Sequence, residues 1–218
     1  MAIHDDFGDI AESIRARMDV IDTTREFAYT ESRQIVRDSA AAIRATHRGD
    51  GAMAAEALAR TAEAVRVLLG RLAGEPILYG AGFVQDAIKE YVEAAVTSCL
   101  EAEAPLPSPV ELRVPEAAYL NGVAEAVMEI RRHIVDEIRL ERLSEAERKL
   151  ERAEDIYHVL MSFDYPDAVA LGLRRRLDTV RSVLERTRSD VVTAIRQASL
   201  ERKMASLESR LSPSSLGD

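Results

Sequence analysis

An all-α fold, a single-domain bundle of about six to seven helices, is predicted by three observations on the 218-residue sequence. Apolar residues recur at helical spacing almost throughout. Ala, Leu, Arg and Glu, all good helix formers, fill long stretches, while aromatics make up only 5% and tryptophan is absent. The breaks between periodic runs are few and carry glycine or proline. With 47% hydrophobic residues the chain can bury a core. No apolar run approaches the roughly 20 residues needed to span a bilayer, so no membrane association is expected.

In order along the chain, Ile10, Ile14, Met18, Ile21, Phe27, Ile35 and Ile43 mark a long first helix that ends near His47 to Gly51. A second helix is expected over 52–72, and Gly74, Glu75 and Pro76 end it. A third runs over 77–100, with Gly80 and Gly82 near its start. Pro105, Pro107, Pro109 and Pro115 then make the only proline-rich stretch, a loop with room for one helical turn. A fourth helix begins after Pro115 and runs to about Arg142. Ser144 followed by Glu147 reads as a capping box that starts a fifth helix, which ends before Phe163 to Pro166. The last helix runs over 170–211, so that the bundle spans 1–211 as one domain and residues 212–218 form a frayed tail.

Several function classes are disfavoured. The amino-terminal MAIHDDFGDI is acidic and lacks the basic and apolar regions of a secretory signal, so a cytoplasmic protein is expected. The single cysteine, Cys99, allows no internal disulfide or cysteine-cluster metal site, and its apolar neighbours mark it as a small core residue. There is no Gly-x-Ser-x-Gly elbow, and Gly80-Ala81-Gly82 is no phosphate loop, having neither a preceding strand nor a following lysine and hydroxyl pair. A ferritin-like two-metal site needs Glu-x-x-His on two helices, which the chain lacks. His4, His47 and His158 are scattered, and His133 reads as a surface group or one behind the ligands.

The net charge of −9 is unevenly spread. Residues 75–129 hold ten acids and two bases, whereas residues 172–203 hold nine bases and four acids. An acidic middle suits a cation and a basic carboxyl-terminal helix suits a polyanion, unless both are solvated helix faces. Within the acidic stretch, Glu90 and Glu93 share one face of the third helix, and Glu125 and Glu129 share one face of the fourth. Their neighbours are small or apolar, where an uncompensated charge is costly, and a hard divalent ion such as Mg2+ or Mn2+ would relieve that cost. The competing reading pairs these acids with Lys89, Arg131 or Arg132 as ordinary helix-surface ion pairs. Ala118 and Gly122 lie on the same stripe as Glu125 and Glu129, and such small residues let another helix or a substrate backbone come close. On the first helix Arg25, Arg33 and Arg37, at spacings of eight and four, share a side and are candidates for holding a nucleic-acid backbone; their alternative role is to pair with nearby acids.

The order KEYVEA, a proline-containing loop and then PEAAYLNGVAEAVME resembles the translin and TRAX (translin-associated factor X) family, and TTREFAYTESRQIV looks like that family's first helix. The resemblance covers most of the chain; its specific part runs from Glu90 to Glu129. It implies a translin-like helical bundle and a homo-oligomer, an octamer in the family, with acidic sites and basic residues facing a cavity. It also implies the TRAX activity, a Mg2+-dependent endoribonuclease acting on single-stranded RNA. By resemblance Glu90 and Glu93 match the two glutamates of the TRAX Glu-Tyr-Val-Glu step, Glu125 the acid after Gly-Val-Ala and Glu129 the glutamate one turn later. Glu125 departs from the family, where an Asp is usual, and lengthens the ligand by one methylene. The expected function is therefore phosphodiester hydrolysis at a divalent ion held by Glu90, Glu93, Glu125 and Glu129. Two alternatives are a non-catalytic single-stranded RNA- or DNA-binding oligomer, as translin is, and a helical scaffold with no nucleic-acid role.

Overall fold

In the computed structural model the backbone is described for residues 3–211 and the side chains for 7–210; His4 and the expected tail 212–218 lie outside the described side chains. Among the described residues there are nine helices and no strand: α1 (Ile3–His47), α2 (Gly51–Leu72), α3 (Pro76–Tyr79), α4 (Gly82–Glu101), α5 (Pro109–Leu112), α6 (Glu116–Arg139), α7 (Leu143–Leu160), α8 (Asp167–Ala170) and α9 (Leu173–Leu211). The six long ones are those the apolar periodicity predicts, and α3, α5 and α8 are single turns at the breaks.

The breaks have local causes. Asp50 caps α2 by accepting from the Met53 amide at 3.0 Å. The segment expected as one helix from Ile77 divides at Gly80 and Ala81, where Ala81 is extended and α4 starts afresh. Ser108 and Glu111 form a reciprocal capping box on α5, with Pro109 in its first turn. The capping box expected at Ser144 and Glu147 is absent, because α7 begins one residue earlier at Leu143 with Arg142 at its N-cap position and no side-chain cap. There the Arg142 amide closes back on the Glu137 carbonyl and Glu141 takes a left-handed conformation, so α6 ends at Arg139 rather than near Arg142.

Packing divides the described residues into two units, 3–126 with 165–173, and 127–164 with 174–211. In the first, α1 packs on both α2 and α4. Ala42, Ala57 and Ala94 meet with Ile43 and Leu58 against them, and such small contacts allow the three helices to approach closely. Tyr29 meets Phe83 as Ala42 meets Ala94, so α1 and α4 run in the same direction. Asn121, buried on α6, donates from Nδ2 to the carbonyls of Ala117 and Ala170, both at 2.8 Å, and ties the α8 segment to α6.

In the second unit Ile130, Ile134, Leu150, Ala153, Leu177, Val180 and Leu184 are buried. Glu137 of α6 accepts from Arg142 and lies 3.5 Å from the buried Lys149 of α7. Arg131 donates to Thr187 at 2.8 Å and pairs with Asp190 at 2.7 Å, while Arg188 pairs with Glu154 at 2.8 Å. Arg188 on Glu154 and Arg181 on Asp178 satisfy part of the basic carboxyl-terminal stretch with acids.

Two apolar stripes are largely exposed. Phe7, Ile10, Ile14 and Met18 follow helical spacing along the first half of α1 and are each more than half exposed, as are Leu200, Met204 and Leu207 near the end of α9. The first stripe was expected to mark a helix and does so, but its side chains are more exposed than buried.

Candidate nucleic-acid and cation site

The site begins with a glycine. A Cβ on Gly122 would lie 2.5 Å from the Cβ of Val92 and 2.8 Å from the Lys89 carbonyl oxygen, so only glycine lets α6 cross α4 here. One turn after Gly122, Glu125 is carried to the same crossing. The expectation that small residues on this stripe admit a close neighbour is met, and the neighbour is α4.

At the crossing the Lys89 ammonium lies 3.2 Å from Glu90 Oε1 and 3.3 Å from Glu125 Oε1. Two carboxylates from two helices thus converge on a single positive charge. The three side chains are sheltered, with 14% of Lys89, 31% of Glu90 and 19% of Glu125 exposed, which strengthens their attraction over that of a surface pair. Glu93 is half-buried on α4, one turn from Glu90. Glu129 is half-buried one turn beyond Glu125 on α6 and belongs to the second unit. Among the described residues no group of three or more Asp, Glu, His or Cys side chains is gathered so as to hold a metal ion. Of the possible partners named from sequence, Lys89 takes that role, whereas Arg131 turns to Thr187 and Asp190.

Tyr91, between Glu90 and Glu93, is buried and its hydroxyl is pushed up by that burial. It stays neutral at ordinary pH and offers no base. His133 is buried on α6 rather than at the surface, and Cys99 is half-buried at the rim of the core that Val96 and Leu100 fill.

The three candidate arginines of α1 are exposed. Arg25 pairs with Glu26, Arg37 donates to Gln34 at 2.6 Å, and the Arg33 guanidinium sits 5.9 Å over the ring centre of Tyr29. Tyr29 completes the row, because positions 25, 29, 33 and 37 follow one another at i, i+4 spacing along a single inclined stripe. Its ring is 43% exposed and meets Phe83 edge-on at 5.7 Å and 70°. Phe83 and Glu90, two turns apart, share a face of α4. The basic row therefore runs alongside the helix that carries Glu90. The i+4 ladder through Tyr29 was present in the sequence, but arginine spacing alone passes over it.

No protein-family model matches the chain. An uncharacterised protein of Methanocaldococcus jannaschii is 33% identical over 193 residues, which span 88% of this chain and 85% of that one. Among solved structures, AfC3PO in its crystal structure and in a complex with duplex RNA is 32% identical to this chain; each superposes with a TM-score of 0.78 over 84% of it and 96% and 95% of the AfC3PO chain respectively. An apo form of NeC3PO, at 20% identity and a TM-score of 0.77, shares the fold. With that identity maintained over nearly the whole of an archaeal translin/TRAX-like protein, the chain belongs to the translin/TRAX family.

Proposed function

We propose that this chain is a metal-dependent endoribonuclease of the TRAX type, cutting single-stranded RNA by phosphodiester hydrolysis within a homo-oligomer. The observation that carries the reading is the convergence of Glu90 and Glu125 on one cation beside a basic, partly aromatic row. The donors suit a hard divalent ion: both are carboxylate oxygens, and magnesium is commonly held by one or two carboxylates with the substrate phosphate and waters completing its shell. The Lys89 ammonium is a stand-in for that charge. When bound, Mg2+ or Mn2+ would polarise the phosphate and lower the pKa of a bound water.

The chain's own residues have separable tasks in this reading. Glu90 and Glu125 anchor the cation, and Glu93, one turn from Glu90, adds a third oxygen donor. Glu129 holds a water or accepts its proton. Arg25, Arg33 and Arg37 hold the RNA backbone by charge, and with so few aromatic platforms the sequence preference is slight. The exposed apolar stripes of α1 and α9 supply surface for self-association, consistent with a homo-oligomer, an octamer by resemblance.

A second reading, a non-catalytic RNA-binding oligomer, is favoured by one specific observation: the Lys89 ammonium lies against both Glu90 and Glu125 and offsets one of their two negative charges. AfC3PO was solved with duplex RNA, so the assay uses end-labelled single strands and duplexes, each with Mg2+, Mn2+ or a chelator. Cleavage that disappears in chelator and in Glu90→Ala and Glu125→Ala variants of unchanged assembly supports the nuclease. Salt-dependent binding without cleavage in either metal favours the binder.

A further inference from the structure

Lys89 stands at the centre of the acidic site and has no task in the reaction described above. Consecutive side chains leave a helix about 100° apart, so Lys89 and Glu90 do not face one another by default. Lys89 turns back toward Glu90 and at the same time reaches across to Glu125 on α6. Its backbone is fixed as well, since its carbonyl is one of the atoms against which Gly122 packs.

We propose that Lys89 is the resident counter-cation of the Glu90 and Glu125 pair, a positioning residue that holds both carboxylates at one point and must leave when a divalent ion takes its place. The inference rests on the metal-dependent reading above. An ammonium with three donors and a hard divalent ion compete for the same oxygens, Glu90 Oε1 and Glu125 Oε1. In the resting chain Lys89 reduces the repulsion between two sheltered carboxylates, which would otherwise push them apart. It thereby keeps the site assembled and, by the same contacts, raises the metal concentration needed to fill it. The exchange takes the site from a net −1, two carboxylates with one ammonium, to zero: the ammonium leaves for solvent or for an approaching phosphate as the divalent ion enters.

Two measurements test this, and neither reads activity. The first is Mn2+ binding by titration calorimetry at constant ionic strength. Lys89→Met, which keeps the aliphatic stem and removes the charge, binds Mn2+ on the order of tenfold tighter than the natural chain, the worth of not having to break two partly sheltered ion pairs. Lys89→Arg stays near the natural value, and adding Glu125→Gln to Lys89→Met abolishes the gain. The second needs no variant: acylation of Lys89, read by mass spectrometry, accelerates when Mg2+ or Mn2+ is added and not with sodium chloride of equal ionic strength. Equal or weaker Mn2+ binding by Lys89→Met, or a labelling rate indifferent to divalent ions, overturns the proposal. If the natural chain cleaves RNA with Mg2+ while either of those results is obtained, the role of Lys89 falls and the nuclease stands. If the natural chain neither binds Mn2+ nor cleaves RNA, both fall.

Discussion

Gly122 decides whether Glu125 meets α4. A methyl group there would sit 2.5 Å from the Val92 Cβ and 2.8 Å from a backbone oxygen. Gly122→Ala should therefore cost about 1–3 kcal/mol in denaturant unfolding, as overpacked cores do. Val92→Ala in the same chain should recover only part of this, because it removes the Cγ1 contact at 2.7 Å but leaves the Cβ at position 92 and the Lys89 carbonyl in the way. The small-residue stripe on α6 was legible in the sequence because glycine within a helix has few reasons to be there other than close approach. Tyr29 was not, since an exposed tyrosine on a surface helix carries no signature until a neighbour is seen over its ring. If the row 25, 29, 33 and 37 lies against RNA, Arg33→Ala should lower the slope of log affinity against log salt by about 1, as loss of one phosphate contact does. An unchanged slope would remove Arg33 from the interface.

Helix ends and helix pairings follow the same logic one level up. Prolines and glycines marked the ends of α2 and α4 and the loop around α5, because a missing amide proton or a missing side chain interrupts a helix wherever it falls. The α6–α7 turn was not legible: the Ser144 and Glu147 pattern suggests a cap, yet the turn is set by Glu137, whose carbonyl receives the Arg142 amide and whose carboxylate holds Arg142 and Lys149. A cap pattern competes with tertiary contacts that only the folded chain supplies. Since Glu137 and Lys149 are both buried, Glu137→Ala should destabilise the protein by about 1–3 kcal/mol in chemical unfolding, because it removes the carboxylate that Arg142 and Lys149 share. Replacing both with apolar residues of similar size, Glu137→Leu with Lys149→Met, should cost far less. If the single and double variants lose the same stability, the pair is not what holds this turn.

At the scale of the whole molecule, helical periodicity reports that a face is apolar and does not report what covers it. Ile10, Ile14 and Met18 have the spacing of core residues, yet they are exposed in the single chain, as are Leu200, Met204 and Leu207. That much unburied apolar surface is consistent with self-association. Ile14→Glu and Met204→Glu should lower the assembly mass measured by light scattering at unchanged helix content; a mass that does not move would leave those stripes without the assembly role. The family is shown by identity across nearly the full chain, and the acidic motif lay in the sequence with Lys89 among its possible partners, but that one lysine reaches both halves of the motif is visible only at the helix crossing.

In the proposed reaction Glu90 and Glu125 make one functional centre for RNA hydrolysis. Cleavage of end-labelled single-stranded RNA in Mg2+ by the natural chain, Glu90→Gln and Glu125→Gln, compared at equal assembly mass and equal RNA affinity, tests it most directly. The expected result is cleavage by the natural chain that chelator abolishes and a loss of about a hundredfold or more in each variant. Bound RNA left intact by the natural chain in both Mg2+ and Mn2+, or cleavage that survives both substitutions, would contradict it.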